Sequence, residues 1–145
     1  MNRDKILKNI KQNIPHKIQK EEFNLTPTIY KNPKEEFVKN LQKAGGEITD
    51  KPKGIVIKAE FGIAENGSVY IDHKSDEDRR VYTFYEEITI LLESDKILNN
   101  MHEAYERVKI DEFGLFMSGP SKTADIEQSL VIGAHGAKRV WVVLV

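Results

Sequence analysis

Residues 87–109, "EITILLESDKILNNMHEAYERVK", decide how this chain folds. After Glu87, the five residues Ile88–Leu92 are apolar or β-branched at both parities, which is the pattern of a buried strand. Ile97, Leu98, Met101 and Tyr105 then recur at helical spacing and are predicted to face inward, with Ser94 or Asp95 as the N-cap. "FGLFMS" (113–118) reads as a second apolar strand. "GPSKTADIEQSLVIGAHG" (119–136) reads as a second helix, with Ile126, Leu130, Val131 and Ala134 toward the sheet and Gly136 closing it. "KRVWVVLV" (138–145) is a third strand, apolar on both faces as under helices on both sides. The order strand–helix–strand–helix–strand predicts an α/β fold: a mostly parallel sheet flanked by helices and built with right-handed crossovers.

Upstream, Asn32 is a good N-cap, Pro33 suits the first helical position and Glu35 stands where a capping box places it. Phe37, Val38, Leu41 and Ala44 form the apolar stripe of that helix, and Gly45-Gly46 stops it. "GIVIKAEFGIAENGSVYID" (54–72) alternates and is rich in β-branched residues, so it reads as two or three strands around turns. "SDEDRR" (75–80) reads as a solvated turn or helix start. Residues 3–14 carry Ile6, Leu7, Ile10 and Ile14 on one helical stripe, and Pro15 ends it. The expected division is therefore 1–31, an amphipathic helix and extended connector, and 32–145, a single α/β domain.

With 22 basic and 23 acidic residues mixed along 145 positions, no basic stripe points to nucleic acid. The longest apolar run, "VWVVLV", is too short to cross a bilayer, and the first residues lack the apolar run of a secretion signal. The expectation is a cytoplasmic protein with no membrane and no nucleic-acid partner. No cysteine occurs, which removes disulfides, thiolate nucleophiles and cysteine-ligated metal or iron–sulfur centres from this stretch of chain. His16, His73, His102 and His135 are scattered without metal-ligand spacing, so no metal site is expected. His73 reads as a surface residue, and His135 as a cation in the last turn of a helix.

Two loops carry candidate chemistry. In "SGPSKTADIE" (118–127), Gly119 lets the backbone approach closely, Pro120 fixes the entry, and Ser121 and Thr123 place hydroxyls near free amides of the predicted helix end. A phosphate or carboxylate is well received at such an end, and Lys122 adds a full charge. The plainer alternative makes Ser121 or Thr123 a cap, with Asp125 and Glu127 complementing the dipole. The glycine spacing of a phosphate-binding P-loop is missing. In the other loop Gly62 and Gly67 flank Glu65, and Asn66-Gly67 signals a two-residue hairpin turn. Glu65 is either the last residue before that hairpin or a partly desolvated base or nucleophile.

Together, "FGIAENGSVYI" (61–71) and "SGPSKTADIEQSLVIGAHGAKRVWVVLV" (118–145) resemble the signature regions of the lactate-utilisation (LUD) domain family, which includes lactate utilisation protein C. The second region carries the more specific pattern: Ser-Gly-Pro, "TADIE", "GAHG", then a basic residue before an apolar end strand. In the middle this chain departs from the family, because only "EITDKPKGIVIKAEF" (47–61) stands where members carry a longer segment. The chain thus resembles a compact, internally shortened member, and ligand contacts from the longer segment do not carry over.

The resemblance implies a fold similar to the sugar-phosphate isomerase and coenzyme A transferase group. It also implies an accessory or substrate-handling role in oxidising L-lactate to pyruvate, beside partner subunits that carry the iron–sulfur clusters; this chain's own motifs bind no cofactor. The expected ligand is a small anionic metabolite between the 62–68 turn and the 118–125 loop. Its site residues would be Gly62, Glu65, Asn66, Gly67, Ser118, Gly119, Ser121, Lys122, Thr123 and Asp125, with Glu65 orienting or deprotonating the ligand. Two alternatives stand beside it: a non-enzymatic scaffold, and an acyl or coenzyme A transferase-like enzyme, since Glu65-Asn66-Gly67 matches a run used by such transferases. A homo-oligomer is a further possibility.

Overall fold

The computed structural model describes residues 3–12, 26–73, 78–108, 113–124, 130–133 and 135–145. Helices α1 (Arg3–Gln12) and α2 (Pro33–Lys43) lead into strands β1 (Glu47–Ile48), β2 (Ile55–Lys58), β3 (Phe61–Ile63) and β4 (Ser68–His73). A single helical turn, α3 (Val81–Phe84), precedes β5 (Glu87–Leu92), and a 3-10 turn at Ser94–Lys96 leads to β6 (Ile97–Leu98) and α4 (Met101–Arg107). Strands β7 (Phe113–Met117), β8 (Lys122–Ala124), β9 (Leu130–Ile132) and β10 (Arg139–Leu144) complete the order.

The fold is α/β. Its main sheet is parallel throughout, in the order β1-β10-β5-β2. A second sheet, β6-β3-β4-β7, is mixed: β3 pairs with β6 in parallel and with β4 in antiparallel fashion, as β4 does with β7. The two sheets share one core. Ile88, Ile90 and Leu92 of β5 and Val140 and Val142 of β10 pack with Val69 and Ile71 of β4, and Phe37 and Leu41 of α2 join them. On the other face of the second sheet, Phe61, Ile63, Tyr70 and Leu98 pack with Ala104 of α4. Alternation along β4 does this sorting, sending odd positions to the shared core and Tyr70 to the α4 side.

Helix α2 begins and ends as its sequence predicts. The Asn32 side chain accepts the Glu35 amide at 3.3 Å. At the other end Gly46 N–H reaches Leu41 O and Gly45 N–H reaches Gln42 O, with Gly45 at φ +92°, a Schellman closure. The 75–80 expectation falls partly outside the described residues; its described end, Asp78–Arg80, is exposed.

Several predicted elements differ. The helix predicted after β5 starts later, because Ile97 and Leu98 are drawn into β6 by pairing with Gly62 and Ile63. Asn100, not Ser94 or Asp95, is the N-cap, and Tyr105 is 67% exposed rather than inward. The β7 strand lies in the second sheet, antiparallel to β4, and so is no member of the parallel core. The helix predicted over 119–136 is overturned: Lys122–Ala124 and Leu130–Ile132 are strands paired antiparallel, and Val131 is 44% exposed. Ile126 and Ala134 lie outside the described residues. His73 is buried in the core, not at the surface, and His135 sits in a loop rather than a helical last turn.

Among the described residues no helix is long and apolar enough to cross a membrane. Helix α1 buries none of its residues, and Ile6, Leu7 and Ile10 remain exposed.

Candidate functional site

The turn that holds Glu65 is built as a brace. Between β3 and β4 the loop runs over four residues, Ala64–Gly67, closed by Gly67 N–H on Ile63 O at 2.9 Å, and is longer than the two-residue turn predicted from Asn66-Gly67. The Asn40 side chain of α2 donates to Ala64 O at 2.8 Å and to Glu65 O at 3.3 Å. Gly67 has φ +67°, and a Cβ there would overlap the Leu41 amide nitrogen, so only glycine fits. The Asn66 carboxamide oxygen accepts from Ser68 N–H at 3.0 Å and from Ser68 Oγ at 2.5 Å. Glu65 is exposed, not desolvated, and its Oε2 accepts the Met101 amide at 2.9 Å. With Asn100 Oδ1 accepting Glu103 N–H at 3.1 Å, two of the free amides at the start of α4 are satisfied. Gly62, opposite Val69 in β3, is fully covered.

The second loop does meet this turn. Ser118 Oγ donates to Asn66 O at 3.1 Å across 52 residues of sequence. Gly119 takes φ +70°, and a Cβ there would stand 2.5 Å from Ala44 O at the end of α2. Lys122 Nζ donates to that same Ala44 O at 2.5 Å, so its ammonium completes the α2 C-terminus instead of facing an anion. Ser121 is laced to the 133–137 loop: its N–H donates to Ala137 O and its carbonyl accepts Gly133 N–H, each at 2.9 Å. Thr123 lies in β8 opposite Val131, and Asp125 is outside the described residues. Since no helix starts at Ser121, the helix-end amides invoked for anion binding are absent there.

What these loops enclose is a cavity of about 210 Å³. It is lined by Ser118, Gly119 and Ser121, by His135, Gly136 and Ala137, and by Tyr82, Phe116, Met117 and Val140. The Tyr82 hydroxyl meets Nδ1 of the buried His73 at 2.9 Å, and the His73 ring stands edge-on to Tyr82 and Phe113. The lining therefore includes three hydroxyl residues and one histidine, the Ser118 and Tyr82 hydroxyls being bonded to Asn66 O and His73, with no carboxylate, ammonium or guanidinium among its described residues.

Sequence reasoning missed Tyr82, His135 and the support from His73. For His73 a signal existed, because it shares parity with Val69 and Ile71 on a strand. Tyr82 carried none: it lies on one isolated helical turn whose neighbours Phe84 and Tyr85 are exposed.

A larger cavity, about 350 Å³, follows the open edge of β2 and shares Tyr82. Its rim carries both signs, Lys58 against Glu60, Asp72 and Asp78. Lys58 pairs with Glu93 at 3.0 Å, and Arg80, by its hydrogen bonds, holds the Asp78 carboxyl down at about 2. These two pairs neutralise Lys58 and Asp78 and leave an acidic rim at Glu60 and Asp72, and none of the predicted site residues reaches this edge. Size alone therefore does not make it the better candidate. Among the described residues no group of His, Asp and Glu is placed to hold a metal ion.

Residues 53–145 match the LUD domain. A protein of Neisseria meningitidis serogroup B is 35% identical over 85 residues, which make up 55% of this chain and 36% of that protein. Lactate utilization protein C of Deinococcus radiodurans is 29% identical over 101 residues, 66% of this chain and 48% of the relative. The chain thus spans about half the length of these relatives or less. A crystal structure of a DUF162 family protein from Deinococcus radiodurans superposes with TM-score 0.55 at 13% identity, over 81% of this chain and 99% of that one, and so supports the α/β fold.

Proposed function

This chain belongs to the LUD domain family, and we propose that it is a cytoplasmic lactate-utilisation protein, an accessory or substrate-handling subunit that holds a small carboxylate during oxidation of L-lactate to pyruvate. The observation that carries this reading is the cavity between the 118–121 and 135–137 loops. Ser121 brings a hydroxyl donor for a carboxylate, while Ser118, whose hydroxyl proton is held by Asn66 O, lines the cavity beside it. Phe116, Met117 and Val140 suit a short apolar tail, and the volume matches an acid of a few carbons. In this proposal Glu65 takes no part in holding the ligand, because it lies outside the lining and its Oε2 accepts the Met101 amide of α4. Lactate must lose an electron pair and two protons to become pyruvate. A chain without cysteine has no thiolates to ligate a cluster, so in this proposal the electrons leave through iron–sulfur subunits bound beside it.

The test is affinity purification under anaerobic conditions from the native host grown on lactate, followed by calorimetric titration of the purified chain with L-lactate, pyruvate and phosphate. The reading predicts co-purifying iron–sulfur proteins and saturable binding of a carboxylate. A folded chain that binds none of the three and retains no such partner would contradict it.

A second reading, a scaffold that only holds its partners, is favoured by one observation: the apolar stripe Ile6, Leu7 and Ile10 on α1 is exposed. Deleting residues 1–31 should then abolish partner retention while leaving carboxylate binding intact. The transferase-like alternative would use Glu65 as the nucleophile, and its Oε2 is engaged by the Met101 amide.

A further inference from the structure

We propose that the open edge of β2, with the groove beside it, binds an extended basic segment of another protein by adding it to the main sheet as a further strand. The site is independent of the carboxylate reading. Its basis is the direction of the backbone hydrogen bonds. In the order β1-β10-β5-β2, strand β2 is the last member, and its register with β5 runs unbroken from Ile55 opposite Ile88 to Lys58 opposite Leu91. Just beyond, Ala59 N–H donates to Leu91 O at 2.9 Å, so residues 55, 57 and 59 turn their amides and carbonyls toward β5. Alternate residues of a parallel strand point the other way, and the main-chain groups of Val56 and Lys58 therefore face outward. Among the described residues no strand takes them up.

This edge lacks the usual protection against pairing. Ile55–Lys58 contains no proline, and the even register leaves no bulge. Its one charged side chain, Lys58, is paired with Glu93 at 3.0 Å. The end strands β1 and β6 hold two residues each, too few to template a partner. End strand β7 is longer, but the cavity that it lines has no carboxylate among its described residues. Beside β2 the fold leaves the groove of about 350 Å³, walled by Ile55, Ile57, Ile71, Val81 and Tyr82. Ile55 and Ile57 pack against the shared core yet stay only half-buried, and Val56 is 46% exposed. An added strand sets alternate side chains into this groove while its backbone takes the outward groups of β2.

Charge selects the kind of segment. Of the charged residues in the lining, Lys58 and Asp78 are paired with Glu93 and Arg80. Lys96 feels the Glu60 charge but is itself held on Glu93 at 3.0 Å. Glu60 and Asp72 make no ion pair among the described residues, so the rim keeps an excess of negative charge. Lysine or arginine at the ends of an incoming segment supplies the complement, whereas an acidic segment is repelled. A second copy of this chain is the poorer occupant, because pairing β2 with β2 across a two-fold axis brings two identical acidic rims to one edge.

The test is fluorescence anisotropy of an end-capped, dye-labelled peptide, Lys-Val-Thr-Val-Thr-Val-Lys, titrated with the full chain beside a version carrying glutamate for both lysines. The lysine peptide should bind saturably, and the glutamate peptide at least about tenfold more weakly. N-methylation then locates the edge. Methyl groups on the valine amides, or separately on the threonine amides, remove alternate donors, so one set should abolish binding and the other spare it. On the protein, Val56→Pro removes an outward N–H without touching the β5 ladder, and should lose the peptide while the unfolding midpoint moves little. Glu60→Lys should narrow the preference for the lysine peptide. No saturation by the lysine peptide up to about 1 mM, equal affinity for both peptides, or equal effects of the two methylation sets overturns the proposal, whether or not Val56→Pro folds. A folded Val56→Pro that keeps full affinity overturns it too. So does a wild-type dimer in sedimentation that Val56→Pro converts to monomer, which gives the edge to a second copy.

Discussion

The Ala64–Gly67 turn and the 118–137 loops are both glycine-bearing, both lie beside the end of α2, and touch through Ser118 and Asn66. They do opposite work. In the turn, Glu65 Oε2, Asn66 Oδ1 and the Gly67 amide are each bonded within the protein, to α4, Ser68 and Ile63. In the 118–121 and 135–137 loops the backbone is also laced, through Ser121 N–H on Ala137 O, but Ser121 and His135 line a cavity. An acid next to a tight turn reads as chemistry until its hydrogen bonds are counted. The accounting of partners, not the residue type, separates brace from site.

The sharpest way to break that contrast is to put a methyl group on each side of it. Gly67→Ala drives a Cβ into the α2 backbone at a left-handed φ, and should cost about 3 kcal/mol or more by chemical denaturation. A loss under about 1 kcal/mol would mean that the turn does not pack on α2 as described. Gly136→Ala comes within 3.2 Å of Ser121 Cβ and within 3.6 Å of Ser121 Oγ and Tyr82 O, so it should cost no more than about 1 kcal/mol. It narrows the cavity, however, and should weaken lactate binding several-fold in a titration.

Smaller effects sharpen the same line. Glu65→Gln keeps a weaker acceptor for the Met101 amide but loses the charge at the start of α4, which should cost about 0.5–1 kcal/mol in thermal unfolding. Carboxylate affinity should be unchanged; a tenfold loss would return Glu65 to the site. The smallest effect concerns acid. Hydrogen bonds from Lys58, and then Lys96, hold the Glu93 carboxyl below its ordinary value. A depressed folded value stabilises above the unfolded one, near pH 4.3, and that contribution vanishes as pH falls through the folded value. Because the groups are exposed, the difference between wild type and Glu93→Gln should be slight near neutral pH and absent in strong acid, as followed by unfolding midpoints.

Much of this architecture was written locally. The runs at 88–92 and 140–144 are apolar or β-branched at both parities and became the two central strands, and the Asn32 cap and Gly45 stop marked α2 almost to the residue. The 119–136 segment misled because the spacing of Ile126, Leu130, Val131 and Ala134 mimics a helix, whereas the β8–β9 pairing is a relation between strands that periodicity does not encode. Ile97 and Leu98 were misplaced for the same reason, since pairing with β3 overrode a helical pattern. His73 was legible from strand parity but was read by residue type. The cavity was half legible: Ser118, Gly119 and Ser121 were named, while His135 was assigned to a helix end that does not exist and Tyr82 reached the lining through topology alone.

The account's central claim is that the ligand sits against the 118–121 and 135–137 loops and not at Glu65. Amide chemical-shift mapping of the isotope-labelled chain during titration with L-lactate tests it most directly. The predicted result is saturable shifts at Ser118, Gly119, Ser121, His135, Gly136 and Ala137, with Glu65, Asn66 and Met101 moving little. Shifts centred on Glu65 and the start of α4, with the two loops silent, would contradict it.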